Sequence, residues 1–306
     1  MKYWKYLIFA VCVLIAISLP RFLGVYPLQM LNIILIYMAL ALSWDMLLRS
    51  GMMSLGVAGS CGIGGYTGVL CVTQLGLNPL VGILIGSGVA ALIALLVGLS
   101  VLHLRAMYFA IVTLAVTEIF RILVRNFDIT GGPEGIILPN AIFKGDASGT
   151  YWLMLAIGVL TIIVSWLFQK TRIHYAVTAI ANDEMVASSS GINIFKYLVL
   201  IFVVTSAIQG LVGGAYAQIY GFVTPESSFS VNFVLLPITM VLLGGANSTW
   251  GPVIGAVILS ILAEALKLII PYGALFIYGV IMVVAIIWFP GGIIGIFKKG
   301  SAKDHH

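Results

Sequence analysis

"YLVLIFVVTSAIQGLVGGAYAQIYG", residues 197–221, decides how this chain folds. Its 25 residues contain no Asp, Glu, Lys or Arg. As a helix rising 1.5 Å per residue it would run roughly 37 Å, more than the ~30 Å hydrocarbon core of a bilayer. Lipid offers no hydrogen-bond partner to the backbone, and a helix satisfies its own N–H and C=O groups. The strict alternation of a barrel strand is missing. The stretch reads as a membrane-spanning helix.

Similar runs recur to either side. The chain of 306 residues is 61% hydrophobic and only 8% charged, too little charge to cover a soluble surface. Ten spans are expected, at 6–23, 28–48, 53–75, 79–102, 107–125, 151–169, 197–221, 232–246, 252–270 and 272–289. The eighth is short and ends in Gly, which suggests a broken or re-entrant segment. The fold class is therefore all-α, a polytopic bundle of about ten transmembrane helices in a single domain over 1–306, with long loops at 126–150 and 170–196. The first run, "KYWKYLIFAVCVLIAISLP", lacks a small-residue cleavage site and reads as a retained helix. The C-terminal "KDHH" reads as a solvated tail.

The net charge of +5 is scattered through short loops, so it sets topology and is no nucleic-acid signature. With the N-terminus inside, Lys2, Lys5, Arg49, Arg105, Lys170, Arg172, Lys196, Lys298, Lys299 and Lys303 are cytoplasmic. Arg21, Arg121, Arg125, Lys144 and Lys267 fall outside or in the outer half. Ten against five puts both termini and the 170–196 loop in the cytoplasm, and the 126–150 loop outside. The cysteines are Cys12, Cys61 and Cys71. Cys61 and Cys71 share a span and lie roughly 15 Å apart along it, too far for a disulfide. No metal-ligand spacing occurs, and the thiols read as small apolar side chains.

The loop before the quoted span holds "AIANDEMVASSSGIN", residues 179–193, with adjacent acids Asp183 and Glu184. Ile173, Val177, Ile180 and Ala187 fall at helical spacing, interrupted by Glu184, and predict one helix with a narrow apolar stripe and the acids in its middle. Ser188 to Ser190 and then Gly191 end it. Spacing leaves two readings open: a helix that docks into a groove on a soluble partner, or a solvated connector.

Span three is crowded with Gly51, Gly56, Gly59, Gly62, Gly64, Gly65 and Gly68. Small residues allow close helix packing; a break at Gly62, Gly64 and Gly65, beside Tyr66, would instead line a pathway. A faint likeness between "LGVAGSCGIGGYTG" and "LVGGAYAQIYG" hints at related halves. In span five, Glu118 and Arg121 are spaced to pair, with Arg125 on the same face. They are either a structural ion pair with Arg125 snorkelling outward, or a pathway lining in which Arg121 meets a substrate carboxylate. Asp45 with Arg49, and Glu264 with Lys267, read as structural pairs near span ends. "TGGPEG", residues 130–135, carries Gly131, Gly132, Pro133 and Glu134 and is turn chemistry. "TPESSF", residues 224–229, places Pro225 at a helix start and Glu226 in its first turn. Both are simple caps and turns, or an outer docking surface. His103 and the span-end Trp4, Trp44 and Trp152 read as interfacial anchors, and His174 has no ligand company.

Several stretches together resemble the permeases of branched-chain amino-acid ABC transporters, from about residue 30 to 295. They are "TAIANDEMVASSSGINIFKYLVLIFVVTSAIQGLVGGAYA", "MYFAIVTLAVTEIFRILVRNFDITGGPEGI", "SLGVAGSCGIGGYTGVL" and "GFVTPESSFSVNFVLLPITMVLLGGANSTWGPVIGAVIL". The "YFAIVTLA…E…R…TGG" pattern is similar to the M-type (Liv-like) subunit rather than its H-type paralogue. Departures are "SSSGIN", where the family carries Ala- and Leu-rich residues before Gly-Ile-Asn, and Asn182, often charged in the family. The resemblance implies a pore-forming subunit paired with an H-type permease in the bacterial inner membrane. Two cytoplasmic ATPase subunits would bind ATP and Mg, and an extracytoplasmic solute-binding protein would deliver a small neutral amino acid. It implies no cofactor or catalytic residue in this chain. It makes the segment around Thr178, Ala179, Ile180, Asn182, Asp183, Glu184, Met185 and Gly191 a coupling helix. It also suggests binding-protein docking at 131–134 and 225–226. The chain has no G-x-x-x-x-G-K-[ST], so ATP chemistry belongs to another chain. Alternatives are a urea or short-amide ABC permease and an ion-driven secondary transporter or channel. The last would need a relay of acids, and Glu118 and Glu264 each have a basic neighbour three residues on. A membrane-embedded enzyme would need a clustered catalytic set, and none is legible.

Overall fold

The computed structural model describes residues 13–104, 106–139, 141–143, 146–269, 279–280, 283 and 291–295. Its helices are α1 (Val25–Leu48), α2 (Val57–Thr73), α3 (Pro79–Val101), α4 (Ala106–Asn126), α5 (Ala147–Phe168), α6 (Arg172–Asn182), α7 (Glu184–Ser189), α8 (Ile194–Tyr220), α9 (Pro225–Ser228), α10 (Asn232–Gly244) and α11 (Trp250–Ile269). Their ends are written in the sequence. Asn78 accepts from Leu80 N and precedes Pro79 at the start of α3. Asp146 caps α5, Asn193 caps α8, and Gly221, in the left-handed region at φ 70°, closes α8.

The helix of the opening stretch, α8, is the axis of the bundle. It packs against α1, α2 and α3, while α1 also packs against α5, α10 and α11. Lipid gives no hydrophobic drive for this association, so close van der Waals contact has to hold the helices together. Glycines supply it. A Cβ on Gly64 would overlap the backbone of Gly210, one on Gly213 that of Cys61, and one on Gly86 that of Gly64. A second seam joins α10 to α11 through Gly244, Gly251 and Gly255.

Among the described residues, six stretches are long and apolar enough to cross a membrane: Val25–Leu48, Pro79–Val101, Met107–Asn126, Ala147–Phe168, Ile194–Tyr220 and Pro225–Gly244. Val57–Thr73 and Trp250–Leu266 are shorter apolar helices. These eight correspond to expected spans two to nine. The start of span one and nearly all of span ten lie outside the described residues. The expected eighth span, 232–246, is one short continuous helix, α10, with only 13 residues and Pro237 inside it; the break lies before it, between the end of α9 at Ser228 and Asn232. At 1.5 Å per residue, α10 alone is about 20 Å long.

One expectation needs correcting. Trp44 is no interfacial anchor: it is 1% exposed and its Nε1 donates to Ser54 O at 2.8 Å. Trp152 is 48% exposed. A short antiparallel ribbon, β1 (Ile136–Ile137) with β2 (Phe222–Val223), joins the two loops at the α8 C-terminal end. Two-residue strands carry no alternation to read.

Candidate functional site

The acidic peptide is two helices, not one. Asp183 has extended backbone, φ −159° and ψ 111°, and its Oδ1 accepts from Met185 N at 2.8 Å and Val186 N at 3.1 Å. It is the N-cap of α7, and Glu184 sits in the first turn, where the helix dipole favours a negative charge. The apolar stripe continues across both helices, so periodicity alone reads through the break. An Asp followed by Glu before an apolar pair was the signal that could have located it. The other end is as expected: α7 stops at Ser189, Gly191 takes φ 79°, and Ile192 N donates back to Ala187 O.

The α6–α7 unit is anchored on one side and open on the other. Val177, Ile180 and Ala187 are buried with Met46 and Leu47 from the end of α1, Met52 of the α1–α2 linker, and Leu198, Ile201 and Phe202 from α8. Thr178 and Ala179 are half-buried; Asn182, Asp183, Glu184 and Gly191 are exposed. Met185 is 81% and Val186 63% exposed, an apolar tip between two acids and three serines. Ala181 packs against Gly51 of the α1–α2 linker. His174 lies near Arg49, with its ring edge-on to Phe168 at 5.3 Å. Burial, and secondarily the Arg49 charge, hold its pKa below the usual histidine value.

Gly62, Gly64, Gly65 and Tyr66 are all buried, and α2 runs unbroken through them. Gly64 meets the backbone of Gly210, Gly62 the ring of Phe229 and Gly65 the backbone of Gly213. The unwound segment is thus not present; a break would surrender contacts that only an intact helix aligns. The Tyr66 ring lies 6.2 Å from that of Phe229, and its hydroxyl is buried without a hydrogen-bond partner among the described residues.

Glu118 and Arg121 pair as their spacing suggests. Arg121 Nε reaches both carboxylate oxygens at 3.1 and 3.0 Å, and Nη2 adds a further bond to Glu118 Oε1. The pair is not inside this bundle: the Glu118 side chain is 51% exposed and that of Arg121 32%. Asp45 and Arg49 also pair, with both side chains buried. Glu264 accepts from Tyr26 Oη at 3.5 Å, while the Lys267 side chain lies outside the described residues.

At the opposite end of α8, the β1–β2 ribbon brings the two expected docking loops together. Gly131, Gly132 and Gly135 all take left-handed backbone, and Gly131, Pro133 and Glu134 are exposed. Thr224 and Ser227 form a capping box over α9, with Pro225 at its first turn, buried, and Glu226 exposed. Among the described residues no group of three or more His, Cys, Asp or Glu side chains is placed to hold a metal. Cys61 and Cys71 are buried free thiols.

Comparison with known proteins agrees with this architecture. Residues 26–286 match the family described as branched-chain amino acid transport system / permease component. The chain is 30% identical to the high-affinity branched-chain amino acid transport system permease protein LivM of Escherichia coli, covering 98% of this chain and 79% of that protein. It is 26% identical to a probable branched-chain amino acid transport permease protein LivM of Methanocaldococcus jannaschii, over 76% of this chain and 77% of that one. To the E. coli permease LivH it is 30% identical over 48% of this chain and 51% of that protein. A multi-pass helical bundle, no enzyme and matched over nearly its full length, this chain belongs to the branched-chain amino acid transport system permease family.

Proposed function

We propose that this chain is one of two pore-forming subunits of an ATP-driven importer of branched-chain or other small neutral amino acids, working by alternating access. Its pair would be an H-type permease, in line with the likeness to both LivM and LivH. Two ATPase subunits bind ATP and Mg in the cytoplasm, and a solute-binding protein docks outside. The chain sits in the inner membrane with both termini cytoplasmic, the orientation favoured by ten of its fifteen Lys and Arg residues.

The observation that carries this reading is the α6–α7 unit. Ile180 and Ala187 are each 2% exposed and tie it to the bundle, while Met185 and Val186 project from it. A helix pair fixed on one side with an exposed apolar tip suits a groove on a soluble partner. ATP-driven closure of that partner would pull the unit, and with it the ends of α1 and α8. Glu118 and Arg121 support a pathway along α4. A charge facing lipid costs roughly 2.5–3.5 kcal/mol, so a half-exposed pair belongs against the second permease or a watery path between the two. Gly131, Gly132, Pro133, Glu134 and Glu226 make the outer patch on which a binding protein would sit, with the buried Pro225 fixing the start of α9.

Met185→Lys tests the reading, because its side chain projects from the bundle and the change leaves internal packing alone. The soluble ATPase should co-purify with the wild-type pair and be lost with the variant. Undiminished co-purification and ATP-driven leucine uptake would refute the coupling role.

A further inference from the structure

The transport cycle as proposed makes no use of the Asp45–Arg49 pair, yet it is the most deeply buried charged group among the described residues. The side chains are 0% and 1% exposed. Asp45 Oδ2 accepts from Arg49 Nε at 2.9 Å and Nη2 at 2.5 Å. Its other oxygen, Oδ1, accepts the backbone N–H of Asn247 at 2.7 Å, across 202 residues. Asn247 has φ 62°, the one non-glycine residue in the left-handed region among the described residues. The far side of the guanidinium meets Gln169; with its amide assigned in the orientation that satisfies both its O and its N, the oxygen accepts from Arg49 Nη1 at 2.8 Å, Thr249 N at 3.0 Å and Thr249 Oγ1 at 2.9 Å. The end of α1, the end of α5 and the α10–α11 turn are thereby held on one pair of charges.

Stability is a poor reason for such a pair. Two buried charges lose hydration, and well-packed apolar residues in their place are often neutral or better. What the charges add is direction. The turn they hold, "GGANST" at 244–249, begins with two glycines, the residue with the freest backbone. The end of α1 that carries the charges is also the seat of the α6–α7 unit, through Gly51 against Ala181 and the cluster of Met46 and Leu47 with Val177 and Ile180.

We propose that the Asp45–Arg49 pair is a positioning element of the transport cycle: it locks the α10–α11 turn to the end of α1, so that displacement of the α6–α7 lever passes to α10 and α11 instead of being absorbed at residues 244–249. This rests on the coupling role proposed above. The two residues act through the turn and touch no substrate.

The test uses the whole importer in liposomes, reading leucine taken up per ATP hydrolysed. Arg49→Met should keep the ATPase bound and hydrolysing while uptake per ATP falls about tenfold. The double variant Asp45→Leu with Arg49→Met separates this from a structural role. It removes both buried charges, so a purely structural pair predicts that stability and transport return together. A positioning pair predicts a folded, assembled bundle in which uptake per ATP stays about tenfold low. A wild-type ratio in the double variant overturns the proposal, and so does its failure to assemble. Met185→Lys keeps the two ideas apart. If that change leaves ATPase binding intact, the lever itself falls. If it releases the ATPase while the double variant transports normally, only the positioning role falls.

Discussion

Single glycines show how little room this bundle leaves. Gly64 of α2 stands where a Cβ would collide with the backbone of Gly210, which cannot swing aside as a side chain can. Gly64→Ala should lower the melting temperature of the detergent-solubilised permease, at about 1–3 kcal/mol of overpacking. Gly88→Ala on α3, with open space around it, should melt like the wild type or slightly higher. His174 makes a prediction of a different kind. Its pKa in the folded chain lies below the ordinary histidine value of 6.5, so below that value the unfolded chain binds more protons than the folded one. The folded state is therefore favoured above about pH 6.5 and loses this contribution as pH falls through the lowered pKa. Melting scans from neutral to acid pH should show the loss, and His174→Phe, which keeps a ring beside Phe168 and removes the imidazole near Arg49, should flatten it. An unchanged pH profile in the variant would remove His174 from the account.

The helices of the coupling unit are short, and their ends matter more than their middles. Asp183 satisfies two N–H groups at the start of α7 that no backbone carbonyl can reach. Asp183→Ala should cost about 1 kcal/mol of local helix stability, seen as roughly fivefold faster amide exchange at Met185 and Val186, and Asp183→Asn should restore protection. Exchange indifferent to both changes would mean that α7 is held by its packing at Ala187 alone. The same chemistry was readable at α9, where Pro225 and Glu226 announce a helix start from sequence, and the structure adds the Thr224–Ser227 capping box. It was missed at Asp183 because the apolar stripe runs on past the break, and periodicity reports a face, not a bend.

The path from the lever to the bundle depends on the bilayer lying between the α6–α7 unit and the β1–β2 ribbon. Met185→Cys should react with an impermeant maleimide only from the cytoplasmic side, and Glu134→Cys only from outside, in a background with Cys12 replaced. Labelling of Met185→Cys from outside intact cells would invert the topology and end the coupling proposal. The exposed Glu118–Arg121 pair belongs to the same level. Arg121→Ala should leave this chain folded and soluble in detergent, since the pair lies outside its core, while uptake by the assembled importer falls; unfolding of the isolated chain would make the pair structural instead.

Hydrophobic runs by themselves determined that this chain is a helical membrane bundle, because helix length and the lack of lipid hydrogen-bond partners leave one solution. Caps, turns and the i,i+3 and i,i+4 ion pairs were also legible, being local in the chain. Tertiary structure alone decided which glycines are seams, that Trp44 is core, that the loops at 131–135 and 222–226 form one patch, and that Asp45 reaches Asn247. Each of those rests on residues brought together from distant parts of the chain, and spacing along a sequence carries no record of what will lie across from it.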